Sequence, residues 1–279
     1  MSKRKRSSAM DKKLKDGRGQ GIGVDYKPWV TIQDVPSLGR ATRLKGMKIP
    51  RQFEFLSDLE RNYFYLLEYS DLVVDIREQY PLLPIEETMI IADELGIKHP
   101  TDPKTGEPVV MTTDFLVTIT KNQQHQHLAR TLKYKDELMN ERVLEKFEIE
   151  RVYWERQDID WGIVTELEVP KEMAHNIVFV HGYSDLSIIE GFEEVTAFDI
   201  DDMSIYFIKK LLAEDQTVKQ IVKEFEHDFG MVVGCGLSLF KHLVITKAIE
   251  LDLLDKLDVS QIQQIKAVRK DFSEKVKVI

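Results

Sequence analysis

The feature that most restricts this chain is the stretch MTTDFLVTI, residues 111–119, in which a carboxylate opens a run of apolar and β-branched residues. Such a run reads as a buried strand over about 113–120, followed by a polar turn at 121–124 and a second strand over about 125–134. That is a hairpin. An ionised Asp at the mouth of a buried strand is costly unless a cation, a backbone donor or water compensates it. Successive strand residues face opposite sides of a sheet, so Thr112, Asp114 and Leu116 share one face, as do Ala129, Thr131 and Lys133 on the partner strand. Pairing in the usual register brings Asp114 and Lys133 to the same side.

Around the hairpin the pattern alternates between helix and strand. Residues 57–70 carry Leu59, Tyr63, Leu66 and Leu67 at helical spacing, with Ser57 as N-cap. Residues 72–84 read as a strand halted by Pro81, and EETMIIADELGI after it fits either a short helix or a strand-containing excursion. Residues 136–157 place Leu138, Val143, Phe147 and Trp154 towards one side of an amphipathic helix, and WGIVTE supplies another strand. This order describes an α/β domain, a mixed sheet with helices on its faces.

At 279 residues the chain is long enough for two cores. After about Val169 the pattern turns mainly helical, which suits a winged-helix or other helix-turn-helix arrangement, or a generic helical bundle. The candidate recognition helix, residues 237–250, offers only Lys241, His242 and Lys247 as cations among acidic neighbours. Protein binding therefore stands beside DNA binding as a reading of this part.

Charge is segregated. Residues 1–50 hold 13 Lys and Arg against 4 Asp, a net of 13 − 4 = +9, which leaves −18 for the remainder of a chain whose total is −9. The basic segment reads as an arm, either a solvated tail or a phosphate-binding extension. Within it GRGQGIG is too glycine-rich for a regular element, while Tyr26 and Trp29 are apolar anchors that would dock it. No apolar run approaches a membrane span, no signal-peptide core is present, and the single cysteine, Cys235, excludes a disulfide framework. A cytoplasmic location is the expectation.

Hydrolysing a phosphodiester with Mg²⁺ needs hard oxygen ligands, usually one or two carboxylates with several waters. Asp114 and, on the preceding helix, Glu60 are the candidates, and Lys133 is placed to neutralise charge on the reacting phosphate. Each has a plainer explanation. Glu60 also completes an S-x-x-E cap with Ser57, Asp114 can bond backbone at the strand start, and Lys133 can be an exposed lysine in the series Arg130, Lys133, Lys135. His125 and His127 alternate onto one strand face, either as a transition-metal pair or as solvent-facing residues. No G-x-S-x-G elbow, Walker loop or H-E-x-x-H helix occurs.

The blocks GRGQGIGVDYKPWVTIQDVPSLGR, LSDLE, DIREQYPLLP, GIKHP, MTTDFLV and ERVLEKFEIERVYW, in this order, resemble the TnsA family, the end-cutting endonuclease subunits of heteromeric bacterial transposases. The resemblance implies a restriction-endonuclease-like catalytic domain over residues 1–168, including the basic arm, and a winged-helix-like domain over residues 169–279. It also implies Mg²⁺, with Mn²⁺ as a substitute, held by Glu60, Asp114 and the backbone carbonyl of Leu132, and completed by Lys133. The implied partners are transposon-end DNA, the DDE recombinase TnsB, which handles the 3′ ends, and the AAA+ regulator TnsC, with no membrane involved. One position departs from the pattern: Thr131 stands where the family usually carries Gln or Glu. Glu150, in a well-matched helix, is a further candidate to approach the site, ranked below the other three. Two rival readings stay open, a non-catalytic adaptor between recombinase and regulator, and a winged-helix DNA-binding regulator.

Overall fold

The computed structural model describes residues 9–35 and 40–277, so the most basic part of the arm, residues 1–8, lies outside the described residues. The chain divides into two compact units, Met1–Val169 and Pro170–Ile279.

The first unit opens with a short helix, α1 (Ala9–Lys15), and the glycine-rich loop after it. The arm expected from charge and glycine content is docked in this part. Met10 and Leu14 pack against the cluster of Trp29, Ile85 and Val110, and Tyr26 and Trp29 are buried. A small antiparallel pair, β1 (Thr42–Lys45) and β2 (Gln52–Phe55), precedes α2 (Asp58–Tyr69). β3 (Val73–Pro81) leads to α3 (Ile85–Glu94), which settles the segment the sequence left between helix and strand. The hairpin follows as β4 (Thr112–Lys121) and β5 (Gln124–Leu132). Its turn residues Asn122 and Gln123 have φ of 51° and 63°, the left-handed pair that matches the twist of a two-residue hairpin. α4 (Glu141–Glu155) and β6 (Asp160–Val164) complete the unit.

The sheet order is β3-β4-β5-β6, antiparallel except for the parallel β5–β6 pair, so it is mixed. One face buries Phe53, Phe55, Leu59, Phe64, Phe115, Val117 and Leu132 around α2. The other buries Ile91, Leu116, Ala129, Ile149, Tyr153 and Trp154 around α3 and α4. Two boundaries differ from the sequence reading. β5 stops at Leu132, because the chain folds into a single 3-10 turn over Lys135–Met139. α4 then starts afresh at Glu141, with the Asn140 side chain accepting from the Arg142 N–H. Its buried stripe is Ile149, Glu150, Tyr153 and Trp154, so Leu138 and Val143 are not part of it.

The second unit contains α5 (Lys171–Val180), α6 (Ala197–Leu212), α7 (Val218–Asp228), α8 (Cys235–Ile245), the two-residue strands β7 (Ile249–Glu250) and β8 (Ala267–Val268), and α9 (Lys270–Lys277). Thr196 and Thr217 form capping boxes at α6 and α7 with Asp199 and Gln220. Asn176 of α5 donates to the carbonyls of Leu253 and Asp255 and accepts from the Leu257 N–H, which pins the LDLLDKL turn. The candidate recognition helix ends earlier than expected and lies inside the unit. Cys235, Gly236, Leu239, Phe240, Lys241, Leu243, Val244 and Ile245 are all buried. The Lys241 ammonium sits 4.0 Å from the Phe179 ring centroid and 4.3 Å from that of Tyr183, and His242 Nδ1 is 2.8 Å from the Tyr183 carbonyl oxygen. Lys241 and His242 are thus engaged within the unit, with burial pushing the His242 imidazole below its ordinary range, because α8 is the unit's central helix rather than a surface one.

Candidate functional site

A cleft of about 460 Å³ opens in the first unit, and its lining includes Glu60, Asp114, Thr131, Leu132, Lys133 and Glu150. Four elements meet here: the start of α2, the start of β4, the end of β5 and the middle of α4.

Glu60 is placed by the cap of α2. The Ser57 side chain accepts from the Glu60 N–H at 3.1 Å and its hydroxyl donates to Glu60 Oε1 at 2.9 Å, while Oε2 accepts from the Leu56 N–H at 3.0 Å. The cap and the inward-facing carboxylate are thus one arrangement. Each Glu60 oxygen retains a further lone pair, so capping does not exhaust the group. Burial first, and then the charge of Asp114, raises the Glu60 carboxyl well above the usual carboxylate range.

Asp114 has the compensation its position demands. Oδ2 accepts from the Leu132 N–H at 2.7 Å, and Oδ1 accepts from Gln79 Nε2 at 3.1 Å. Burial still outweighs these bonds and the charge of Lys133, so its carboxyl too lies above its ordinary range. Two carboxylates pushed up together, lining one opening, form a place that a proton or a cation stabilises.

The simple alternation predicted for the hairpin is broken at this point. Leu116 packs on the α4 side, and two-residue spacing would put Thr113 on the opposite side with Phe115. Instead the Thr113 hydroxyl donates to Glu150 at 2.6 Å and accepts from Trp154 Nε1 at 2.7 Å, both on α4. The cause lies in the neighbours: β4 pairs with β5 only as far as Phe115↔Arg130, and on β3 the residue opposite Asp114, Gln79, has a left-handed φ of 48°. Lys133 therefore does not bond Asp114 directly. Its N–H donates to the Val164 carbonyl at 3.1 Å and its ammonium pairs with Glu137 at 2.7 Å, while its charge still acts on Asp114.

Thr131 is turned away from the two carboxylates: its hydroxyl donates to Glu150. Glu150 also accepts from Trp161 Nε1 at 3.0 Å. Burial dominates these bonds and pushes its carboxyl up to about 7. Leu132 lines the cleft, buries its side chain on the α2 face and gives its N–H to Asp114. The histidines of HQH lie elsewhere on the hairpin, His125 Nδ1 3.1 Å from the Thr120 hydroxyl and His127 Nδ1 3.0 Å from that of Thr118. Among the described residues no group of three or more His, Cys, Asp or Glu side chains is gathered as a metal cage. A cation in this cleft would lean on two carboxylates, backbone oxygen and water, which is the donor set Mg²⁺ favours. Gln79 is the residue that sequence reasoning missed. Its only local signal is an uncharged polar side chain between charged and aromatic neighbours in DIREQY.

Comparison with known proteins places the chain in a family. Residues 70–166 match the family model for the TnsA-like endonuclease N terminal, and residues 168–253 that for the TnsA endonuclease C terminal. The class so defined is a transposition endonuclease of the Tn7 type. The chain is 37% identical over 244 residues to the Transposon Tn7 transposition protein TnsA of Escherichia coli, covering 87% of this chain and 85% of that protein. It belongs to the TnsA family. Among the described residues no helix is long and apolar enough to cross a membrane.

Proposed function

We propose that this chain is a Mg²⁺-dependent DNA endonuclease that hydrolyses the phosphodiester at the 5′ ends of a transposon, acting in the bacterial cytoplasm. The observation that carries this reading is the convergence of two carboxylates, the buried Glu60 and the half-buried Asp114, in a solvent-open cleft that Lys133 also lines. Glu60, Asp114 and the Leu132 carbonyl would hold the Mg²⁺, which when bound supplies Lewis-acid polarisation of the phosphate and a more acidic water. The Leu132 N–H keeps the Asp114 carboxylate oriented, and Ser57 and Leu56 do the same for Glu60. Lys133, released from Glu137 by an incoming phosphate, neutralises the charge that grows on the phosphoryl oxygens.

The mixed sheet flanked by helices supports a restriction-endonuclease-like domain over residues 1–168, and α6, α7 and α8 followed by the β7–β8 pair support a winged-helix-like domain over 169–279. Burial of α8 favours a protein-contacting role for that domain over groove reading. In this scheme a DDE recombinase, TnsB, recognises the ends and processes the 3′ strands, and an AAA+ regulator, TnsC, engages the second unit.

Thr131 supports a second reading, an adaptor with a nuclease-like shell, because its hydroxyl is taken up by Glu150. A strand-specific cleavage assay with recombinase, regulator, Mg²⁺ and a donor element separates the two. Glu60→Ala and Lys133→Ala should each remove the 5′-strand cut and leave 3′-strand processing intact. Unchanged 5′ cutting in both variants would favour the adaptor.

A further inference from the structure

Gln79 is a buried polar residue near the C-terminal end of β3 whose backbone adopts φ of 48°, a conformation uncommon for a non-glycine residue and often found where a side chain is re-aimed at a functional site. Its flanking partners are regular: Glu78 pairs with Phe115 and Tyr80 with Thr113, so Gln79 lies opposite Asp114. The irregular backbone is held from outside the sheet. The Gln79 carbonyl accepts from the Trp29 N–H at 3.1 Å, and the Glu78 carbonyl accepts from the Tyr26 hydroxyl at 3.1 Å. Arg51 pairs with the Glu78 carboxylate and donates to the Ile76 carbonyl at 2.9 Å, fixing the same strand.

The side chain so directed joins the site. Its Nε2 donates to Asp114 Oδ1 at 3.1 Å, and its Oε1 accepts from the Thr112 hydroxyl at 3.2 Å. An amide suits this place for a chemical reason. It supplies a donor to Asp114 without adding a third negative charge beside Glu60, and the Thr112 hydroxyl on its oxygen fixes which end of the amide faces Asp114.

We propose that Gln79 is a positioning residue of the cleft: held by the docked segment around Tyr26 and Trp29, it fixes Asp114 so that the remaining lone pairs of Asp114 and of the Ser57-held Glu60 converge on one cation. This rests on the reading of the cleft as a divalent-metal site. Gln79 touches neither substrate nor metal in this scheme and acts through Asp114, as residues behind metal ligands generally do.

The test is calorimetric titration of Mn²⁺ into the full chain without DNA or partners, alongside thermal melting of the metal-free protein. Gln79→Gly removes the amide and suits the left-handed backbone, and Gln79→Glu keeps the shape but replaces the donor with a negative oxygen. Gln79→Gly should melt no lower than wild type yet bind Mn²⁺ about ten- to a hundredfold more weakly, the usual effect of removing such a support. Gln79→Glu gives the answer should the glycine variant fail to fold, and its binding isotherm should also differ from that of wild type. Asp114→Ala is the control and should abolish binding. Wild-type affinity in Asp114→Ala would overturn the metal-site reading itself. Loss of binding in Asp114→Ala with wild-type affinity in the folded Gln79 variants would overturn only the role assigned to Gln79.

Discussion

Glu150 shows how a single buried carboxyl sets a property of the whole unit. Its folded value of about 7 lies above the ordinary 4.5, so the folded state holds the proton more tightly than the unfolded one. The stabilisation is therefore fully present below about pH 4.5 and is lost as the pH rises through about 7. Metal-free protein should lose stability to denaturant between about pH 5 and pH 8. Glu150→Gln, which keeps an oxygen to accept from Thr113, Thr131 and Trp161, should lessen that slope by the share Glu150 carries, the raised Glu60 and Asp114 supplying the rest, and be the more stable form at the alkaline end. An unchanged slope would mean that Glu150 contributes nothing to it. At this scale the sequence was partly legible. Asp114 and Glu60 could be singled out because a carboxylate beside buried apolar residues needs an explanation. Gln79 could not, because its role depends on a left-handed backbone and on contacts from the distant segment around Trp29. The convergence of Asp114 with Lys133 was inferred from regular alternation, and the break in pairing beyond Phe115↔Arg130 is what defeats that inference.

Among the elements, α2 joins stability to site geometry most directly, since the residue that caps it also holds Glu60. Ser57→Ala should cost about 1 kcal/mol of stability, as the loss of an N-cap usually does, measured by denaturant unfolding. It should also weaken Mn²⁺ binding, because Glu60 loses one of its two orienting donors. A stability loss with unaltered metal binding would separate the cap from the site. In the second unit Phe240 of α8 is fully buried, and Phe240→Ala should cost about 3–5 kcal/mol. A surface recognition helix would tolerate that change. Helix α2 was readable from its helical spacing, and the hairpin and β6 from short runs of apolar and β-branched residues. The burial of α8 was not, since an apolar helix with scattered cations fits a core or a surface equally well until its neighbours are known. The split of residues 136–157 into a 3-10 turn and α4 hinged on the cap at Asn140, a signal outweighed by the longer amphipathic pattern.

For the whole molecule, charge is the property that bears on partnership. With +9 in the first 50 residues and −18 beyond them, the isolated chain should bind DNA weakly and chiefly through its N-terminal segment. That affinity should disappear between roughly 50 and 200 mM salt, as counterion release requires, which fluorescence anisotropy with a duplex can follow. Tight, salt-insensitive binding would point to a sequence-reading surface in the chain itself. Weak binding alone fits a subunit directed to its target by a recombinase. The central claim, that the cleft around Asp114 cuts the 5′ strands, is tested most directly by comparing wild type with Asp114→Ala in the complete reaction with recombinase, regulator, Mg²⁺, donor and target. The account predicts that wild type releases an excised element cut on both strands. Asp114→Ala should yield 3′ ends joined to the target while the 5′ strands stay attached to the donor, a branched product linking the two. Full excision by Asp114→Ala would contradict it.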